Sequence, residues 1–246
     1  SEMCIRDRYF SIINKQLKEQ ETEIDNIDKA AHQCAKSIEN GRVIHIFGTG
    51  HSQMFAMEIF YRAGGLVPVN GLITPHYSLE PKPKMSTFQE RIEGLSDKYL
   101  DLENTSSDDT MIIASISGRN ASTVDMAIAA KNKGMKVIGL TSLAFSDNVT
   151  SRHSSGKLLK DVSDIVIDVK CDLGDAALSL EGLESKFSGT STVLGMVALE
   201  SVISRTIELC HNEGLEVPVF VSSNLDNGDK INEEFLAKYK SIINKF

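Results

Sequence analysis

At 246 residues, 41% of them apolar, the chain has the length and composition of one large α/β domain with a full core. Its formal charge of −8 argues against a nucleic-acid or anionic-membrane surface, because such binding draws on clustered Lys and Arg, so an anionic ligand must be captured locally. Cys4, Cys34, Cys171 and Cys210 are scattered, with no C-x-x-C pair and no His at zinc spacing, and no apolar run approaches the ~20 residues of a membrane span; a cytoplasmic protein with reduced thiols and no metal is expected.

Ser1 to Tyr9 lacks a starting Met and joins awkwardly to the helical pattern that begins at Phe10, so it is expected to be a non-native or disordered extension. From Phe10 through Ile13, Leu17, Ile24, Ile27, Ala31, Ala35 and Ile38 the apolar residues recur at helical steps up to Asn40-Gly41, which predicts a long N-terminal helix. Strand-like runs then alternate with helical segments: Val43 to Phe47, Leu66 to Val69, Met111 to Ala114, Lys136 to Leu140 and Ile165 to Val169. That alternation predicts right-handed βαβ crossovers and a parallel sheet covered on both faces, an α/β/α sandwich. Asn70 to Lys84, with Pro75, Pro81 and Pro83, reads as an ordered surface excursion able to close a site, and Phe88 to Leu100 as an amphipathic helix. Thr190 to Cys210 predicts a second long helix, apolar enough to meet a partner subunit, and Lys230 to Asn244 a short terminal one. The expected organisation is one domain over residues 10–229 with a helical tail over 230–246.

Two polar loops sit where a strand hands over to a helix: Gly48-Thr49-Gly50-His51-Ser52 and Ser115-Ile116-Ser117-Gly118-Arg119-Asn120. A helix N-terminus leaves N–H groups unpaired and carries partial positive charge, so Gly and Ser there can wrap a phosphate. The first loop is neither a dinucleotide fingerprint, whose third glycine would fall at Gln53, nor a Walker loop, which needs Gly-Lys-Ser/Thr. In the second, Ser115, Ser117 and Asn120 supply donors, Gly118 lets a ligand approach the backbone, and Arg119 adds a cation, more than capping requires. Together they predict a phosphorylated sugar held at both ends, with no cofactor.

In this order, the G-x-G-x-S loop, the S-x-S-G loop and a helix opened by Thr190-Ser191-Thr192 resemble the sugar isomerase (SIS) domain. The stretches "GHSQMFAMEIFYRAGGLVPVN", "SGRNASTVDMA", "SRHSSGKLLKDVSDIVID" and "GTSTVLG" are similar to a bacterial single-SIS family often labelled as phosphoheptose isomerases, and the resemblance runs from about His45 to Asp229. It implies a flavodoxin-like five-stranded parallel sheet, a homodimer or dimer of dimers with sites at subunit interfaces, and a phosphorylated sugar as ligand. It also implies that Ser115, Ser117 and Asn120 cradle the phosphate with the amides of Ile116 and Arg119, and that Ser52 reaches the sugar. Gly50 and Gly118 belong to the same two loops, and Thr190 and Ser191 open the long helix beside them. The chain departs from phosphoheptose isomerases in a shorter first helix and in lacking a counterpart of their catalytic histidine.

Aldose–ketose isomerisation needs a base for the proton beside the carbonyl, an acid for the carbonyl oxygen and donors for the oxyanion. Glu58, six residues past Ser52, falls near the same helix face and resembles the helical glutamate base of phosphoheptose isomerases; the plainer reading is a surface ion pair with Arg62 at i+4. His51, inside the first loop, is a candidate acid or hydroxyl reader, and His76 is a candidate delivered by the proline-rich excursion. Glu200 is a reserve base, His153 a reader of a second anion or part of a turn, and His45 a core histidine. Thr141 and Ser142, after the fourth strand, fit the carboxyl-edge crevice of an open sheet. The leading reading is a sugar-phosphate isomerase; the alternatives are a sugar-phosphate-sensing module, which needs the cradle but not Glu58, and an amino-sugar phosphate lyase.

Overall fold

The computed structural model describes residues 3–246. α1 (Ile5–Gln20) and α2 (Ile24–Glu39) flank a single 3-10 turn at Glu21–Glu23. The expected long N-terminal helix is present over Ile5 to Glu39, tightening for that single turn where Gln20 and Glu23 face inward: Gln20 Nε2 donates to the Val169 and Leu194 carbonyls (3.3 and 3.0 Å), and Glu23 Oε2 accepts from the Asp168 amide (3.2 Å). Residues 5–9, expected to be part of a disordered extension, instead form the first turns of α1. Arg8 and Tyr9 anchor them by donating to the carbonyls of Ser179 (3.2 Å) and Gly189 (2.9 Å).

The remaining elements alternate as expected: β1 (Ile44–Gly48), α3 (Gln53–Ile59), β2 (Val69–Gly71), α4 (Pro83–Gln89), α5 (Ser96–Asp101), β3 (Thr110–Ala114), α6 (Ala121–Asn132), β4 (Lys136–Thr141), α7 (Leu143–Ser146), α8 (Leu159–Val162), β5 (Ile165–Asp168), α9 (Ser191–Asn212) and α10 (Gly228–Tyr239). The strands form one five-stranded parallel sheet in the order β2-β1-β3-β4-β5. Alternate residues of each strand point to opposite faces. Ile44, Ile46, Ile112, Ala114, Ile138 and Leu140 pack on one side with Ala31 and Cys34 of α2, Phe55 and Ile59 of α3, and Leu194, Ala198 and Val202 of α9. Phe47, Met111, Ile113 and Val137 pack on the other with Tyr77, Leu100 of α5, Val124 and Ala127 of α6, and Leu159 of α8. Three layers result, with the central strands buried on both faces.

Phe88 to Leu100 is not one helix. It splits into the end of α4, a turn and α5, because the turn is drawn onto α6: the Ser122 amide donates to the Glu90 carbonyl (3.0 Å) and the Gly94 amide to Asp125 Oδ2 (2.7 Å). At the amino edge of the sheet His45 is a satisfied core histidine, fully buried, with Nε2 3.1 Å from Asp109 Oδ2 and Nδ1 3.2 Å from Asn70 Nδ2. Asp109 also accepts from Arg42 Nε (2.9 Å) and from the amides of Val43 and Ser106 (3.2 and 2.6 Å). Burial alone would raise its pKa, but the hydrogen bonds from His45 and Arg42 outweigh that and hold the carboxyl at about 2. The chain's end packs back on the body, with Ile243 buried and the Phe246 ring stacked 6.0 Å from that of Phe60. Among the described residues no helix is long and apolar enough to cross a membrane.

Candidate functional site

β1 and β3 are neighbours, and Gly48 stands opposite Ala114 in their register, so both polar loops leave the sheet side by side. With β2 on the other side of β1, this is the point where the strand order reverses, the usual ligand crevice of open α/β sheets. The first loop turns back on itself so tightly that a Cβ on Gly48 would lie 2.2 Å from the Ser52 carbonyl oxygen. A 3-10 turn at Gly50–Ser52, closed by the Ser52 amide on the Thr49 carbonyl (3.0 Å), then leads into α3. Ser52 makes no side-chain cap, and among the described residues its hydroxyl and the amides of Gly50 and His51 meet no partner; His51 is exposed.

In the second loop Gly118 takes a left-handed φ of +62°, and a Cβ there would come within 3.2 Å of Leu159 Cβ and Thr141 Oγ1. Ser115 is buried; its amide continues the sheet by donating to the Leu140 carbonyl (3.0 Å), and its Oγ accepts from the Gly118 amide (3.3 Å). Among the described residues the amides of Ile116, Ser117, Arg119 and Asn120 and the hydroxyl of Ser117 meet no partner. The segment 150–159 braces this loop from outside: the Leu159 amide donates to the Gly118 carbonyl (2.8 Å), the Arg152 amide to the Arg119 carbonyl (2.8 Å), and Arg119 Nε to the Thr150 carbonyl (2.9 Å). An Arg152 guanidinium nitrogen donates to Asn120 Oδ1 (2.9 Å). Burial and the nearby cations Arg119 and Arg91 lower the Arg152 pKa. In a chain of net negative charge, three arginines gather around one loop of unpaired amides.

Glu90 joins the two loops and was not singled out by sequence reasoning, which read only an amphipathic helix over Phe88 to Leu100. Its Oε2 accepts from Thr49 Oγ1 in the first loop (3.1 Å), its carbonyl anchors Ser122 just past the second, and Asn120 faces its carboxyl. Burial raises its pKa above the usual glutamate value, against the lowering contacts of Thr49, Arg91, Arg152 and Asn120.

Several residues named from the sequence have other occupations. Thr141 Oγ1 donates to the Ile116 carbonyl (3.0 Å), shaping the second loop from beneath. Ser142 caps α7 by accepting from the Phe145 amide (3.2 Å) and donates to the Cys171 carbonyl (2.7 Å). Asp175 takes the amides of Thr190 and Ser191 (3.0 and 2.9 Å) and the Ser191 hydroxyl (2.6 Å), so the first donors of α9 are satisfied by a carboxylate. Glu58 does not face the sheet edge. α3 buries Phe55, Ala56 and Ile59, and Glu58 lies with the exposed Met54, Met57 and Tyr61, ion-paired to Arg62, which also stands 3.8 Å from Glu200. Burial raises the Glu200 pKa, with Arg62 lowering and Glu58 raising it. His76 is exposed, 3.4 Å from Gln89 Nε2, and lines a cavity of about 340 Å³ with Tyr99, Glu103 and Lys245 that includes no residue of either loop. His153 is clamped between Asp125 Oδ1 (2.9 Å from Nε2) and the Ser155 amide (3.0 Å from Nδ1), a fixed point of the segment that presents Arg152.

A family model described as the SIS domain matches residues 8–142. A UPF0309 protein of Geobacillus thermodenitrificans is 42% identical over 238 residues, covering 96% of each chain. Among solved structures, a phosphoheptose isomerase from Francisella tularensis superposes with a TM-score of 0.53 at 16% identity, covering 83% of this chain and 97% of its own. The phosphoheptose isomerase GmhA from Neisseria gonorrhoeae does so with a TM-score of 0.52 at 17% identity, covering 85% and 99%. These two likenesses are likenesses of fold.

Proposed function

The chain belongs to the SIS-domain family and, within it, to the UPF0309 proteins, and from that premise we propose that it binds a phosphorylated sugar across its two loops and interconverts the aldose and ketose forms. The phosphoryl group sits on the second loop, where the amides of Ile116, Ser117 and Arg119, the Ser117 hydroxyl, Asn120 and the arginines converge. Ser52 and the Gly50 amide take hydroxyls of the sugar chain. The unpaired donors grouped at the point where strand order reverses carry this reading, because free amides converging before a helix N-terminus form a ready anion site. The phosphorylated sugars of phosphoheptose isomerases, to which this fold is similar, have the same chemistry. Proton transfer through an enediol draws on side chains alone.

A second copy of the chain covers the apolar strip formed by Met54, Met57 and Tyr61 of α3 with Val193 and Val197 of α9, all exposed in one chain. This strip carries the Arg62 ion pairs of Glu58 and Glu200, so both lie at the proposed contact between copies.

A panel of pentose, hexose, heptose and N-acetylated amino-sugar phosphates, read by thermal shift and by proton NMR of the sugars, tests the reading. One class should raise the melting temperature, since ligand at a hundred times its Kd adds about 2.7 kcal/mol to the folded state. The Ser117→Ala, Asn120→Ala double variant should lose that rise, and the NMR should show aldose and ketose interchanging. Silence of the whole panel overturns phosphosugar binding; binding without interconversion leaves a sensor.

A further inference from the structure

Four carboxylates, Glu58 on α3 and Glu90, Glu93 and Asp125 around the second loop, are candidates for proton transfer, and three are held by other groups. Glu93 accepts from the amide and hydroxyl of Ser154 (2.6 and 2.7 Å), Asp125 from His153 and the Gly94 amide, and Glu58 is ion-paired with Arg62. Glu90 is different. Its backbone is fixed by the Ser122 amide at the start of α6, and its carboxylate reaches back to Thr49, so it stands between the loop assigned to the phosphate and the loop assigned to the sugar chain. It lies on the turn that breaks the helix expected over 88–100, a local departure from sequence preference of the kind found where a fold is bent to serve a site.

We infer that Glu90 is the catalytic base of this site, shuttling the proton between the two carbons of the sugar that exchange the carbonyl. The inference rests on the isomerase reading above. The carboxylate removes the proton from the carbon beside the carbonyl, the C–H electron pair becomes the new carbon–carbon double bond, and the carbonyl π pair moves to oxygen. The carboxylic acid so formed returns its proton to the former carbonyl carbon, while a proton passes from one sugar oxygen to the other. No electrons leave the pair of reactants, and no co-reactant is consumed. Burial makes Glu90 a stronger base than a solvated glutamate, while Thr49, Asn120 and the guanidinium groups of Arg91 and Arg152, which face it from its own turn, from both loops and from the bracing segment, favour its carboxylate form and offset part of that rise.

The test is Glu90→Gln in the full chain, assayed with the sugar phosphate that the wild type converts. Gln keeps an oxygen to accept from Thr49, so melting temperature and ligand thermal shift should stay within about 2 °C of wild type. Turnover should fall by about 10³-fold, with KM changed less than threefold, and deuterium uptake from D2O at the reacting carbon should vanish. The wild-type rate should rise with pH through an ionisation above the ordinary glutamate range, and Glu90→Asp should retain that limb at a lower rate. Turnover by Glu90→Gln within tenfold of wild type overturns the assignment and leaves the isomerase reading intact. A wild type that binds the panel but converts none of it overturns both. If Glu90→Gln fails to fold, a wild-type rate flat across the glutamate range overturns it.

Discussion

Replacing Gly48 by Ala tests whether the first loop is held in register with the second by close backbone approach. The added methyl would lie 2.2 Å from the Ser52 carbonyl oxygen and 2.6 Å from its carbon, backbone atoms that no rotamer change can move aside. A carbon–oxygen contact needs about 3.3 Å, so the turn must open by about 1 Å. A displacement of that size between groups that hold one ligand costs about 10²-fold, or ~2.7 kcal/mol. Overpacking at the sheet edge adds a stability loss of about 2 kcal/mol, which for a chain of this length lowers the melting temperature by roughly 4 to 8 °C. Circular-dichroism melts with and without the best-binding panel sugar phosphate, with calorimetric titration, read both effects. An alanine variant that melts within 1 °C of wild type and binds equally well would refute the claim that Ser52 owes its position to the missing side chain.

Three further expectations arise from the packing. Asp109, fully buried and held at about 2, has a folded pKa below its unfolded one, so its stabilisation is complete above about pH 4 and is lost as pH falls toward 2. Urea unfolding should therefore find Asp109→Asn less stable at pH 6 and the gap to wild type narrower by about 2 kcal/mol at pH 2. Burial pushes the Cys34 and Cys171 thiols up to about 12, while Cys4 is exposed; iodoacetamide on the native protein, followed by mass spectrometry, should label Cys4 and spare the other three until urea is added. Val197→Asp on the exposed strip of α9 should shift the mass measured by light scattering toward that of one chain; an unchanged mass would refute the assignment of that strip.

The amino-acid sequence by itself determined the parallel sheet, because its central strands β1, β3 and β4 are short apolar runs buried on both faces and separated by helical segments, whereas the edge strand β2 forms at Val69–Gly71, mostly beyond the apolar run Leu66 to Val69. It also marked the two polar loops as strand-to-helix handovers, which the register of Gly48 opposite Ala114 brings side by side. Only the tertiary structure decided which of the named polar groups remain free. Thr141, Ser142 and Ser191 carry the same hydroxyl donor as Ser117, yet they spend it on Ile116, Cys171 and Asp175, and nothing in local spacing distinguishes a spent hydroxyl from an idle one. Glu58 looked suitable on a helical wheel, but a helix as short as α3, seated by Phe55 and Ile59, turns it outward beside Arg62. Glu90 was invisible for the converse reason: its helix period is broken by hydrogen bonds to α6, contacts between segments about thirty residues apart that no periodicity encodes.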